Sequence, residues 1–258
     1  VLVVVSASSG VEVGTEMVWE EAEKRKLARI VAINKIDKEN INFDTVVQSL
    51  VDTFGHKVVL AQFPVNPGPG FTDVVDLIKM KLLKFAKDKS GKYTEEAIPD
   101  NLQDKANELR MKLIEAVAES DDSLMEKYFE AGDLTEDEFR QGLKNAILAD
   151  EVYPIFCVAA TTNTGISRLN DVIVNFLPNP GDMPPTVGKD SGGKEIERKC
   201  NVTESNSALV FKTVSEAHVG ELSYLKALSG AIKTGDDLYN STQNNAERIG
   251  QLFMLNGK

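Results

Sequence analysis

The strongest constraint on the fold is a short apolar strand that ends abruptly in polar residues. Arg29 to Ile33 reads Arg-Ile-Val-Ala-Ile and runs straight into Asn34, Lys35, Ile36 and Asp37. A continuous apolar, partly β-branched run suits a strand buried on both faces, as parallel sheets require. Upstream, Val1 to Val5 is a second such run, "SASSGVEVGT" makes a loop, and Thr15 is placed to cap a helix to about Lys26 with Met17, Val18 and Ala22 on one side. Strand, helix, strand in this span is a crossover unit whose strands lie parallel and adjacent. Ligands of such sheets bind beyond the carboxyl ends of the strands. Asn34, Lys35 and Asp37 occupy that end.

The pattern continues with a helix over Phe43 to Phe54 and a strand in "HKVVLAQFPV". It breaks at Asn66, where "NPGPGF" is turn-rich and "TDVVDLIKMKLLKF" fits strand or helix equally. Asp100 opens a long helix with Leu102, Ala106, Leu109, Leu113 and Val117 on one stripe. Thr135 and Glu138 have the spacing of a capping box for a further helix carrying Phe139, Leu143 and Ile147. "VYPIFCVAATTNTGI" restores a buried strand and a loop, and Ile166 to Phe176 reads as a helix ended by "LPNPGDMPP". The chain is therefore expected to be α/β. Residues 1–65 and 151–180 form part of a parallel sheet domain, and 66–150 an inserted α+β subdomain. Residues 181–200 form a polar linker. Over 201–258 the period becomes two: "SALVFKT", "ELSYLKAL", "DDLYN" and "AERIGQLFML" are short strands separated by Gly220, Gly230 and Gly235. They are the first strands of an antiparallel β-barrel and too few to close one. No internal repeat is evident.

Charge narrows the partners. The formal net charge is −11, and the segment Glu95 to Glu151 carries it all, with 17 acidic against 6 basic residues. Such a block repels nucleic acid and suits either solvent or a basic protein surface. No apolar run approaches the roughly 18 residues of a membrane span, and the opening residues lack the basic stretch of a signal peptide. The chain opens on Val1 rather than Met, so residues upstream of it are expected. Cys157 and Cys200 are the only cysteines and form no CxxC pair. That suits a reducing, cytoplasmic setting without membrane contact, and leaves the sequons at Asn201 and Asn240 as chance matches. His56 and His218 have no partners at metal or hydrolase spacing. No metal ligands and no catalytic residues are assigned.

Asn-Lys-x-Asp at a strand's carboxyl end has a specific chemistry available to it. A carboxylate accepts two parallel N–H bonds, and guanine offers that pair in its ring imino group and exocyclic amine, whereas adenine does not. A site built on such a pair can discriminate by about 10⁴–10⁵, because the wrong ligand leaves a polar group unpaired. In this reading Asp37 grips the base, the Lys35 stem lies along its plane, and the Asn34 amide braces neighbouring loops and the base.

These residues resemble the translational GTPases, and within them the elongation factor G family. "SGVEVGTEMVWEEAEKRKLARIVAINKIDKENINF" is similar to the segment after the second switch of that family's nucleotide-binding domain. "GFTDVVDLIKMK", "IPDNLQDKANELRMKLIEAVAESDDSLMEKYFE" and "LTEDEFRQGLKNAIL" resemble the subdomain that separates the family from shorter relatives. "PIFCVAATTNTGISRLNDVIVNFLPNP" and "GELSYLKALSGAIKTGDDLYN" extend the likeness over nearly the whole chain. By this resemblance the fold is a partial P-loop-GTPase-type sheet, and the guanine-specificity motif falls on Asn34, Lys35, Ile36 and Asp37. The family's second guanine loop carries Ser-Ala where this chain has Ala159 and Ala160. The lost hydroxyl implies weaker loop support, while backbone N–H groups remain to meet the guanine carbonyl. "KALSG" at Lys226 to Gly230, where the family usually shows "RVYSG", and "SEAHVG" point to a diverged paralogue as readily as to the main factor.

The resemblance implies GTP or GDP as ligand, with Mg²⁺ in the intact protein. The phosphate loop, the metal ligands and the water-positioning residue would all precede Val1. Gly188 to Glu195, "GKDSGGKE", matches phosphate-loop spacing up to Lys194, but it lacks the following Ser or Thr and follows "MPPTV" rather than a buried strand, so it reads as linker. Alone, the chain is expected to hydrolyse nothing. The implied partners of the intact protein are the ribosome, its stalk protein through the acidic insertion, and indirectly the transfer RNA–messenger RNA complex, in translocation and in splitting ribosomes after termination. The alternatives are a ribosome-protection protein of the tetracycline-resistance type and a non-catalytic interaction module with a vestigial guanine loop.

Overall fold

A computed structural model describes residues 1–190, 192–216 and 220–254. The chain divides into two compact units, Val1–Leu177 and Pro178–Lys258.

The first unit begins with β1 (Leu2–Ser6), α1 (Val13–Lys24), β2 (Ile30–Asn34), α2 (Phe43–Phe54) and β3 (Val58–Leu60). An antiparallel layer follows, β4 (Gln62–Pro64), β5 (Asp73–Asp76), β6 (Lys81–Phe85) and β7 (Tyr93–Glu96), and then α3 (Asp100–Ala118), α4 (Asp122–Ala131) and α5 (Glu136–Leu148). β8 (Tyr153–Cys157) returns to the first sheet, and α6 (Ile166–Phe176) closes the unit. The first sheet is wholly parallel with order β1-β2-β8-β3. Its central strands are covered on both faces: Ile30 to Ile33 and all of β8 are buried. The antiparallel sheet has order β4-β5-β6-β7, and its apolar residues share one core with the parallel sheet.

Sequence periodicity and structure part company in three places here. The single strand read in "HKVVLAQFPV" is two, β3 in the parallel sheet and β4 in the antiparallel one. The segment "TDVVDLIKMKLLKF", which fitted strand or helix, is the β5–β6 hairpin, with Val74, Val75, Leu82 and Leu83 all buried. Adjacent apolar residues are buried together because both faces of the hairpin are covered, so alternation is absent. In α1, Thr15 is not the cap. The helix starts at Val13 after Glu12, whose N–H donates to the Thr15 hydroxyl at 3.3 Å while Thr15 N–H donates to the Glu12 carbonyl at 2.8 Å. Nor do Met17 and Val18 face inward; they are 63% and 49% exposed, and Trp19 and Ala22 are buried instead. Trp19 stacks on Phe54 at 4.0 Å and meets Tyr153 edge-on, and that large aromatic burial outweighs the smaller Met–Val face.

The capping box of α5 forms as read: Glu138 N–H donates to the Thr135 hydroxyl at 3.4 Å, and Thr135 N–H and its hydroxyl donate to Glu138 at 3.1 and 2.7 Å. Lys127 of α4 adds an ion pair to the same carboxylate. Lys127 first, then the two Thr135 donors, hold the Glu138 carboxyl down at about 2. A depressed acid contributes stability above its ordinary value near 4.5, and that contribution fades as pH falls through about 2. A carboxyl chemical-shift titration should therefore give Glu138 a midpoint near 2. A midpoint near 4.5 would mean the α4–α5 link does not form in solution.

Among the described residues the second unit holds three two-stranded antiparallel pairs: β9 (Thr186–Lys189) with β10 (Glu195–Arg198), β11 (Ser207–Glu216) with β12 (Gly220–Ser229), and β13 (Asp237–Asn240) with β14 (Asn245–Arg248). The stretch read as a linker thus contains a hairpin. The "GKDSGGKE" stretch joins its strands; Asp190 accepts from Gly192 and Lys194 N–H, Gly193 has φ +81°, and Ser191 lies outside the described residues. The last strand is shorter than "AERIGQLFML" suggested, and His218 lies outside the described residues.

Candidate functional site

The site forms because β8 inserts between β2 and β3. Ile33 pairs with Cys157 at the last rung, so the loops leaving both strands emerge side by side at one end of the sheet. Val158 N–H extends the ladder to the Ile33 carbonyl at 2.9 Å, and Ile36 N–H reaches back to the Val158 carbonyl at 3.5 Å. Ile36 is wholly buried and anchors the first loop. Lys35 adopts a left-handed backbone, φ +65°, which turns the chain sharply between the two polar residues.

Asn34 fastens the two loops together. Its side-chain carbonyl accepts from Lys35 N–H at 2.8 Å and from Ala160 N–H at 3.1 Å, across 126 residues of sequence. Asp37 stands beside the same loop: its Oδ2 accepts from the Thr161 hydroxyl at 3.2 Å. Its Oδ1 is shielded from solvent and accepts from nothing in the protein. An unpaired, shielded acceptor costs roughly 1–3 kcal/mol, which a ligand offering an N–H would recover. Asn34, Lys35, Ile36, Asp37, Ala159 and Ala160 are thereby gathered at one lip of the sheet, with Lys35 and Ala160 exposed, Ile36 and Ala159 buried, and Asn34 and Asp37 half-buried.

The structure corrects one detail of the expected chemistry. The backbone amides of the Ala159–Ala160 pair are not free for a carbonyl ligand. Ala159 N–H donates to the Thr164 carbonyl at 2.9 Å, and Ala160 N–H is taken by Asn34. The cause is the loop's own closure, a short 3₁₀ turn over Ala160–Thr162 braced by a reciprocal bond from Thr164 N–H to the Ala159 carbonyl.

The antiparallel layer holds the second loop from outside. Thr164 donates to the Phe71 carbonyl at 3.4 Å, Asn163 to the Lys89 carbonyl at 3.2 Å and Ser167 to the Gly91 carbonyl. Gly165 is obligatory, since φ is +80° and an added Cβ would sit 2.2 Å from the Cys157 carbonyl oxygen. Below it Arg168 pairs with the buried Asp76 at 2.7 Å. On the first loop, Gly68 N–H donates to the Ile36 carbonyl at 2.7 Å.

Sequence reasoning missed Thr161, whose hydroxyl touches Asp37. The only signal was the density of hydroxyls in "ATTNTG". Burial pushes the Cys157 thiol far up, which makes it a packing group rather than a nucleophile. His56 is exposed. Among the described residues, no three His, Cys, Asp or Glu side chains are grouped to hold a metal ion, and no helix is long and apolar enough to cross a membrane.

Two comparisons with known proteins bear on this geometry. Residues 1–179 match the sequence profile of the elongation factor Tu GTP binding domain. A crystal structure of a protein from Thermus thermophilus superposes with a TM-score of 0.76 at 24% identity, over 95% of this chain and 34% of that one. At that identity the second match speaks for the fold. This chain spans about a third of that protein's length.

Proposed function

Because the chain belongs to the elongation factor Tu GTP binding domain family of translational GTPases, we propose that it is the base-recognition part of an elongation-factor-G-like GTPase that drives ribosomal translocation. The observation that carries the reading is the half-buried Asp37, with one carboxylate oxygen set by Thr161 and the other shielded and unpaired at the carboxyl end of a parallel sheet. Its two oxygens suit the imino and amine N–H groups of guanine. The Lys35 stem lies over the base, and Asn34 keeps the two base loops in register through Ala160. In this reading the phosphates and Mg²⁺ are held by residues outside this chain, and Mg²⁺ neutralises charge on the phosphates when bound. The residues here do the binding and the discrimination. The test is a titration with GDP and ADP of the protein carrying this chain at full length. Strong preference for GDP is expected, and equal affinity for both would remove the reading.

In the same reading the protein works in the cytoplasm, on the ribosome, with its acidic insertion against the stalk protein. α4 supports this: none of its residues is buried, and Glu126, Glu130 and Asp133 flank Phe129, which is 78% exposed. An exposed aromatic in a mostly acidic field suits a complementary surface better than bulk solvent. Reversing Glu126, Glu130 and Asp133 to lysine should weaken stalk binding at least ~10-fold at low salt and flatten its salt dependence. Unchanged affinity would dismiss the docking surface while leaving the nucleotide site untouched.

A further inference from the structure

We propose that Thr161 is a positioning residue for guanine recognition, holding the Asp37 carboxylate in the orientation that can read both N–H groups of the base. The inference rests on the guanine reading above and deepens it.

The geometry is specific. Thr161 Oγ1 lies 3.2 Å from Asp37 Oδ2, joining loops 124 residues apart. Every other hydroxyl of the loop is directed elsewhere: Thr162 donates to the Ala159 carbonyl at 3.1 Å, and Thr164 faces Thr162 and the Phe71 carbonyl. Ala159 and Ala160 have none to offer. Thr161 is therefore the side chain of this loop that reaches the carboxylate. Its backbone is held by the 3₁₀ turn, through Thr162 N–H to the Ala159 carbonyl and Asn163 N–H to the Ala160 carbonyl, both 3.2 Å. Branching at Cβ further restricts where the hydroxyl can go.

The hydroxyl does not compete with the base. A carboxylate offers about four acceptor positions over its two oxygens. Thr161 uses one on Oδ2, and Oδ1 is wholly unused. Each oxygen therefore keeps at least one position that no protein donor fills, and the shielded Oδ1 is uncovered only as the base docks. Without the Thr161 bond, rotation about the Cβ–Cγ bond of Asp37 would be unopposed, and the two oxygens would rarely face the base together. In the free protein this bond is exposed to water. A docked base covers it, and a hydrogen bond to a charged group strengthens when water is excluded.

The experiment compares Thr161→Val, Thr161→Ser and Asp37→Ala with the unaltered protein at full length, titrated with GDP, inosine diphosphate and ADP. Inosine diphosphate keeps the imino N–H but lacks the exocyclic amine, so it engages one oxygen and tolerates a rotated carboxylate. Thr161→Val should bind GDP about 10-fold more weakly and inosine diphosphate only about 2-fold more weakly, so the preference between them narrows. Thr161→Ser should restore GDP binding to within about 2-fold. The melting temperature should stay within about 2 °C, since the residue is exposed. Unchanged or tighter GDP binding by Thr161→Val would overturn the inference, the latter by making the hydroxyl a competitor. Equal losses for GDP and inosine diphosphate with a lowered melting temperature would overturn it too, by making the role structural. Asp37→Ala separates the two levels: if it keeps guanine preference, the base reading itself fails. If it loses that preference while Thr161→Val behaves as the unaltered protein, only Thr161 falls.

Discussion

Asp76→Ala should lower the stability of the Val1–Leu177 unit by about 3–5 kcal/mol, the usual cost of removing one partner from a buried ion pair. Asp76 is fully buried at the end of β5 and takes four donors. Arg168 Nε and its terminal nitrogen stand at 2.7 and 3.4 Å, Gln62 Nε2 at 2.9 Å, and Lys79 N–H at 2.9 Å. Burial works against the charge on Arg168, yet the Asp76 carboxylate more than offsets it and raises the guanidinium's pKa. With alanine at 76 the Arg168 charge stays buried with nothing opposite it, and Gln62 and the Lys79 amide lose their acceptor. For a unit of this size the loss corresponds to about 6–20 °C in melting temperature. Denaturant unfolding of Asp76→Ala measures it, and a loss below about 1 kcal/mol would show that the pair is not the clamp described. A double change to leucine at 76 and methionine at 168 should recover most of the stability, because apolar packing often replaces a buried pair at no net cost.

The expected consequence reaches the site. Arg168 lies in the first turn of α6, just after the second base loop, and Gln62 also accepts the Cys157 N–H at 3.1 Å on β8. Asp76 thus ties the antiparallel layer to both ends of that loop. Asp76→Ala should weaken nucleotide binding even at temperatures where the unit stays folded.

Asp37→Ala carries the second large expected effect. Affinity for GDP should fall at least ~100-fold and the preference over ADP should shrink to within about 5-fold, since discrimination of this kind depends on a buried polar group that the wrong base leaves unpaired. Stability should change little or rise slightly, because the shielded Oδ1 has no partner to lose. Isothermal titration with both nucleotides, paired with a melting curve, reads the two quantities separately. A retained preference for GDP would mean that the base is recognised elsewhere and would end the functional reading.

How far the sequence reaches is visible residue by residue. The buried strands β2 and β8, the apolar stripe of α3 through Ala106, Leu113 and Val117, and the Thr135–Glu138 box all follow from periods and spacings a few residues long. The inward face of α1 did not, because Trp19 takes its place from Phe54 and Tyr153, which are remote in sequence. The β5–β6 hairpin was equally hidden, since a strand covered on both faces and a buried helix segment carry the same apolar pattern. The β9–β10 hairpin escaped notice because its residues are polar and mostly exposed.

By itself the sequence determined which residues stand at the strand ends: Asn34, Lys35 and Asp37 after one apolar run, Ala159 and Ala160 after another. Only the tertiary structure decided what those residues do to each other. The bond from Ala160 to Asn34 spans 126 positions, that from Thr161 to Asp37 spans 124, and that from Arg168 to Asp76 spans 92. Local patterning acts over a turn of helix or a pair of strand residues, whereas these contacts exist because β8 slots between β2 and β3 and brings two distant loops to one edge.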